Sequence, residues 1–165
     1  MDTAVQAPSA QSFQPGWVTG INHLALPVRN VDEALRFWTR LFGGAPYRVR
    51  AGKQTFHVQL PGVVLAFFER AGVSASGAEF PHYAFTVTPE GMRGIKRLLE
   101  EAGVTTHRPW TRNRTEALMY FRDPSDNLFE LYCPDYDRIA ELALAQENGG
   151  DFRPPLADLG YDWRG

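Results

Sequence analysis

The chain is almost without cysteine: Cys133 is the only one, so no disulfide can form within it and a reducing compartment is expected. It also lacks a basic excess. Its 17 Lys and Arg against 19 Asp and Glu leave a formal charge of −2, which excludes nucleic acid or an anionic membrane surface as the main partner. No apolar run approaches the roughly 20 residues that span a membrane. The opening stretch MDTAVQAPSAQSFQPG carries an acidic residue where a signal peptide needs positive charge, and it has no apolar run of signal-peptide length. Residues 1–16 therefore read as a flexible tail, and the protein as cytoplasmic. What remains suits one soluble domain: 165 residues, 44% of them hydrophobic, can bury a core without disulfides.

An internal repeat organises that domain. A shift of 59 residues lays His23 on His82, Ala25 on Ala84 and Val28 on Val87, so that NHLALPV matches PHYAFTV. The same shift lays Gly44, which ends VDEALRFWTRLFGG, on Gly103, which ends PEGMRGIKRLLEEAG. Each copy opens with a short apolar strand, Ile21–Val28 in the first. A helical stripe follows, Val31, Leu35, Trp38 and Phe42 in one copy and Met92, Ile95, Leu98 and Leu99 in the other. Strand-like runs close each copy: QTFHVQL and VVLAFFE around Pro61-Gly62, then TEALMYF and NLFELYC around the turn RDPSD. The reading is two βαβββ modules, residues 18–70 and 80–134, in a domain of residues 17–134. Beyond it, residues 135–165 read as a helix over PDYDRIAELALAQEN and then a docking tail. That tail is rich in large apolar groups: Phe152, Leu156, Leu159, Tyr161 and Trp163.

Strand side chains alternate between faces. In the first strand Leu24, Leu26 and Val28 form a bulky face for packing on the helix, while His23, Ala25 and Pro27 point the other way. The second copy repeats this, with Tyr83, Phe85 and Val87 opposite His82, Ala84 and Thr86. In the closing strand Glu130 interrupts an apolar run, a costly place for an unpaired carboxylate. Each feature alone has a plainer reading: a hydrogen-bonded structural histidine, or a glutamate paired with Arg112, Arg114 or Arg122. Two histidines at repeat-equivalent positions together with a mid-strand glutamate favour a metal site.

Paired βαβββ modules opened by NHLALPV and PHYAFTV, with MYFRDPSDNLFELY closing the second, resemble the vicinal oxygen chelate superfamily. That group spans glyoxalase I, extradiol dioxygenases, fosfomycin-resistance enzymes and bleomycin-binding proteins. The resemblance implies an α+β fold, a curved, barrel-like mixed sheet with a concave metal and ligand site. It places metal ligands on the first and last strands of each module: His23, His82 and Glu130. The fourth ligand position falls at Leu65 to Phe67, and the nearest carboxylate, at the strand's end, is Glu69. Two histidines and one carboxylate suit Fe(II) or Mn(II), with Zn(II) or Ni(II) also compatible, and leave coordination positions for a small substrate with oxygens on neighbouring atoms.

Within the superfamily the resemblance leans to an extradiol-dioxygenase-like oxygenase, with fosfomycin-type epoxide opening, a glyoxalase-like reaction or metal-free drug binding as alternatives. Tyr120 matches a tyrosine that contacts substrate. His57 and His107 are candidate acids or bases, and no histidine stands in the window where extradiol enzymes carry theirs. Arg112, Arg114 and Arg138 are candidate anchors for an anionic substrate. Cys133 reads as core. By the same resemblance the protein is a homodimer, and its site either lies within one chain or is shared, with His23 from one chain meeting His82 and Glu130 of the other.

Overall fold

The computed structural model describes residues 20–48, 55–72 and 79–161; the proposed N-terminal tail and Trp163 lie outside them. The first module comprises β1 (His23–Val28), α1 (Val31–Phe42), β2 (Ala45–Arg48), β3 (Thr55–Leu60) and β4 (Val63–Glu69). The second comprises β5 (Tyr83–Thr86), α2 (Pro89–Glu101), β6 (Trp110–Thr111), β7 (Ala117–Arg122) and β8 (Leu128–Cys133). Capping sets the helix ends. Asn30 accepts from the Glu33 N–H at 2.9 Å, and Gly43, at φ 65°, ends α1 in the left-handed conformation that glycine adopts freely. Thr88 does the same for α2, accepting from the Gly91 N–H at 3.1 Å just before Pro89.

The repeat is visible in the topology. The first sheet runs β1-β4-β3-β2 and the second β5-β8-β7-β6, each with its first and last strands parallel. The α+β fold is thus two mixed sheets, one per module. Their bulky faces share a single core. Trp38 of α1 is fully buried, with its ring centroid 4.7 Å from Phe129 and 5.9 Å from Phe85 in the other module. Phe37 lies 6.4 Å from Phe121. Rings of this size dominate core energetics, so α1 helps to bind the two modules together.

A second tie lies at the turn between β7 and β8. Buried Asp123 accepts from the backbone N–H groups of Ser125 and Asn127 at 2.8 and 2.9 Å, which fixes the turn. Ser125 then accepts from the Arg29 N–H, and the Asn127 amide donates to the Pro27 carbonyl at 3.0 Å. The end of β1 is pinned to the second module in this way. With the helix-side faces turned inward, the opposite face of the first sheet points out: His23, Ala25 and Pro27 are exposed, while Leu26 and Val28 are buried.

The expected helix after Pro134 is not formed. Residues 134–148 hold only single 3-10 turns at Ile139–Glu141 and Gln146–Asn148, on either side of a short strand, β9 (Ala143–Leu144). The cause is tertiary. β6 leaves an open sheet edge, and β9 pairs with it in parallel, Trp110 opposite Ala143 and Thr111 opposite Leu144. Satisfying that edge while burying the Ala145 side chain outweighs a modest local preference for helix. The segment that follows turns back across the second sheet, where Phe152, Leu156 and Leu159 pack against Trp110, Leu118, Tyr120 and Leu128. Among the described residues no helix is long and apolar enough to cross a membrane.

Candidate active site

Parallel register makes the two modules comparable position by position. Ala84 on β5 stands opposite Glu130 on β8, and its repeat partner Ala25 on β1 stands opposite Ala66 on β4. Glu130 therefore has Ala66 as its counterpart, and the first module supplies no carboxylate at the fourth ligand position. Glu69 lies three residues further on, opposite Val28, where its carboxylate accepts from the Val31 N–H at 3.3 Å and caps α1. The same logic pairs Tyr120, opposite Glu130, with His57, opposite Ala66.

In the second module the predicted residues converge. His82 Nδ1–H donates to the Glu79 carbonyl at 2.9 Å, which commits that nitrogen and leaves Nε2 as the lone-pair side. Nε2 lies 3.2 Å from a Glu130 carboxylate oxygen. A lone pair and a carboxylate this close need a proton or a cation between them. Burial pushes the Glu130 carboxyl above its ordinary range, against the opposing pull of His82, so the charged form is costly until a cation arrives. The donor set fits a divalent metal: one imidazole nitrogen and one carboxylate, oriented from behind.

Two further groups stand beside the pair. The Tyr120 ring lies edge-on to His82, centroids 5.3 Å apart, and its hydroxyl donates to Glu79 Oε1 at 2.8 Å. Burial, then the charges of Glu130 and Glu79, push this phenol well above its usual value, so it remains a proton-bearing donor. Arg112 reaches Glu79 at 3.5 Å and Glu147 at 3.1 Å. Glu79 was not foreseen from the sequence, yet it touches His82, Tyr120 and Arg112. It sits ahead of the PHY segment, with no motif or repeat partner to mark it.

The remaining candidates lie elsewhere. His23 and His57 stack side by side on the exposed face of the first sheet, centroids 6.4 Å apart. Among the described residues of one chain, no cluster of three or more His, Cys, Asp and Glu side chains forms a metal cage. His23 and the His82–Glu130 pair are thus apart within a single chain. Arg114 is an exposed turn residue at φ 66°, and Arg138 pairs with Glu141 on the surface. Cys133 is buried on the core side of β8.

His107 occupies a different position from that of an acid or base open to substrate. It is buried, its Nδ1–H donates to the Arg108 carbonyl at 2.8 Å, and its Nε2 accepts from the Tyr120 N–H at 3.0 Å. It braces the strand that carries Tyr120. Burial lowers its pKa from the ordinary 6.5, so the folded state holds it neutral while the unfolded chain takes up a proton. That contribution to stability is complete above pH 6.5 and is lost as pH falls through the lowered value. Urea titrations are expected to show stability declining on this acid side, with a shallower decline in His107→Gln. Equal slopes in the two proteins would remove His107 from this role.

Residues 20–131 match the family model "Glyoxalase/Bleomycin resistance protein/Dioxygenase superfamily". A relative, the glutathione transferase FosA of Serratia marcescens, is 35% identical over 130 residues, covering 77% of this chain and 88% of its own. The metallothiol transferase FosB of Shouchella clausii is 29% identical over 123 residues, 70% of this chain and 80% of its own. Among solved structures, a mutant of the fosfomycin resistance protein FosX from Listeria monocytogenes, complexed with Mn(II) and 1S,2S-dihydroxypropylphosphonic acid, superposes with a TM-score of 0.60. It is 20% identical and covers 70% of this chain and 92% of that one. These relatives favour the fosfomycin-resistance alternative over the extradiol-dioxygenase-like reading, and they lend no support to bleomycin binding. The chain belongs to the glyoxalase/bleomycin resistance protein/dioxygenase superfamily.

Proposed function

We propose that this superfamily member is a homodimeric, divalent-metal-dependent enzyme that opens the epoxide of a small phosphonate by adding a thiol. The carrying observation is the His82–Glu130 pair, a half-buried imidazole facing a buried carboxylate at 3.2 Å with a tyrosine hydroxyl and an arginine beside it. The relatives' names, glutathione transferase and metallothiol transferase, supply the class of nucleophile.

His82, Glu130 and His23 of a second chain would hold the metal, with Mn(II) the first choice because that ion accompanies FosX. When bound, the metal supplies Lewis-acid polarisation of the epoxide oxygen. The chain's own groups do the rest. Arg112 is the cation beside the pair that a negatively charged substrate would meet, and the Tyr120 hydroxyl, held as a protonated phenol, orients a substrate oxygen by donating to it in place of Glu79. In the reaction sulfur forms a bond to an epoxide carbon, the carbon–oxygen bond breaks, and that oxygen keeps the electron pair and takes up a proton.

What each sheet exposes supports the dimer. The first sheet presents His23, Ala25 and Pro27 outward, exposed among the described residues. The second sheet presents a ligand pair one ligand short of the expected three. An isologous twofold dimer sets one against the other and makes two equivalent sites. The test is incubation of purified protein with fosfomycin, Mn(II) and either glutathione or cysteine, followed by phosphorus NMR. A thiol adduct that forms only with metal is expected. Unchanged fosfomycin under every combination would reject the reading.

A further inference from the structure

Residues from Ala145 onward lie beyond residue 131, where the family match ends, yet they build one wall of a cavity of about 510 Å³. This is within the size range of small-molecule sites. The opposite wall is the second sheet, through Trp110 and Arg112. Glu79 lines the cavity too, and its contacts with Tyr120 and His82 place the cavity next to the candidate metal pair.

The tail wall is held from several sides. Beyond the β6–β9 pairing, the Ala145 N–H donates to the Thr111 carbonyl at 2.9 Å and the Asn148 amide donates to the Arg112 carbonyl at 2.7 Å. The Gln146 N–H donates to the Phe152 carbonyl at 2.9 Å, closing the loop on itself. Gly150 passes so near Leu144 that a Cβ there would stand 1.9 Å from the Leu144 carbonyl oxygen. A wall fixed in this manner forms the cavity ahead of any ligand.

The charges on that cavity choose its occupant. Glu79 and Glu147 share one guanidinium, that of Arg112, which leaves a negative excess on their side. Arg153 lines the cavity from the tail, exposed and without an ion pair among the described residues. A simple anion would meet two carboxylates, and a simple cation would meet Arg153. A molecule carrying both charges satisfies both ends, and Phe152, Leu156 and Trp110 cover its apolar part. We propose that the tail-built cavity binds a zwitterion of the α-amino-acid class with an apolar side chain, its carboxylate at Arg153 and its ammonium toward Glu79 and Glu147. It rests on the proposed function only for the role of the neighbouring pair.

The test is isothermal titration of the full-length protein, stripped of metal, with L-phenylalanine, phenylpropanoate and phenethylamine. Phenylalanine is expected to bind about fivefold more tightly than either singly charged probe, the scale of one exposed ion pair. Arg153→Ala is expected to remove phenylalanine's advantage over the amine without weakening the amine; Phe152→Ala is expected to weaken all three. Equal affinities for the three probes, no effect of Arg153→Ala, or no detectable binding of any probe would overturn the proposal. Because metal is absent throughout, failure here is separate from failure of the fosfomycin assay.

Discussion

Glu130→Gln is expected to lower Mn(II) affinity by about a hundredfold or more and to abolish turnover, without destabilising the metal-free fold. The substitution keeps the size of the side chain and removes only the anion. Burial already raises the Glu130 carboxyl's pKa, so the folded protein bears a cost for the ionised form when no cation is present. A neutral amide escapes that cost. His82→Ala is expected to match it in metal loss, because Nδ1 is committed to the Glu79 carbonyl and Nε2 is the nitrogen left to bind. Metal content by elemental analysis, beside thermal unfolding of the stripped proteins, separates the alternatives. If His82 and Glu130 were a structural ion pair, both variants would melt earlier and metal content would not change.

Much of this architecture was legible in the sequence, for identifiable reasons. The 59-residue offset survives folding because each module solves the same packing problem: one bulky strand face, one amphipathic helix, a glycine to end it. Alternation along β1 placed Leu26 and Val28 in the core and His23 outside it, and β8 placed Glu130 opposite Cys133. Local patterns of period two and 3.6 carry such information directly.

What escaped depends on contacts distant in sequence. Glu79 earns its position through His82, Tyr120 and Arg112, none of which any local pattern connects to it. The tail after Pro134 has helical composition, yet the open edge of β6 turns its centre into a strand. His107 looked like a free acid or base, but its two ring nitrogens are taken by backbone groups on either side. The relatives favour the fosfomycin-resistance alternative over ring cleavage, a choice that one closing motif shared across the superfamily does not make.

His23 is proposed to act across a dimer. Two inactive variants, His23→Ala and Glu130→Gln, should complement one another when mixed. A mixed dimer pairs the intact His23 of one chain with the intact His82 and Glu130 of the other, which restores one of its two sites. Random exchange of subunits is then expected to return about a quarter of wild-type activity and Mn(II) binding. If all ligands came from a single chain, every site in the mixture would carry one defect. Activity after co-refolding the two variants would then stay at the level of each variant alone, and the shared site would be contradicted.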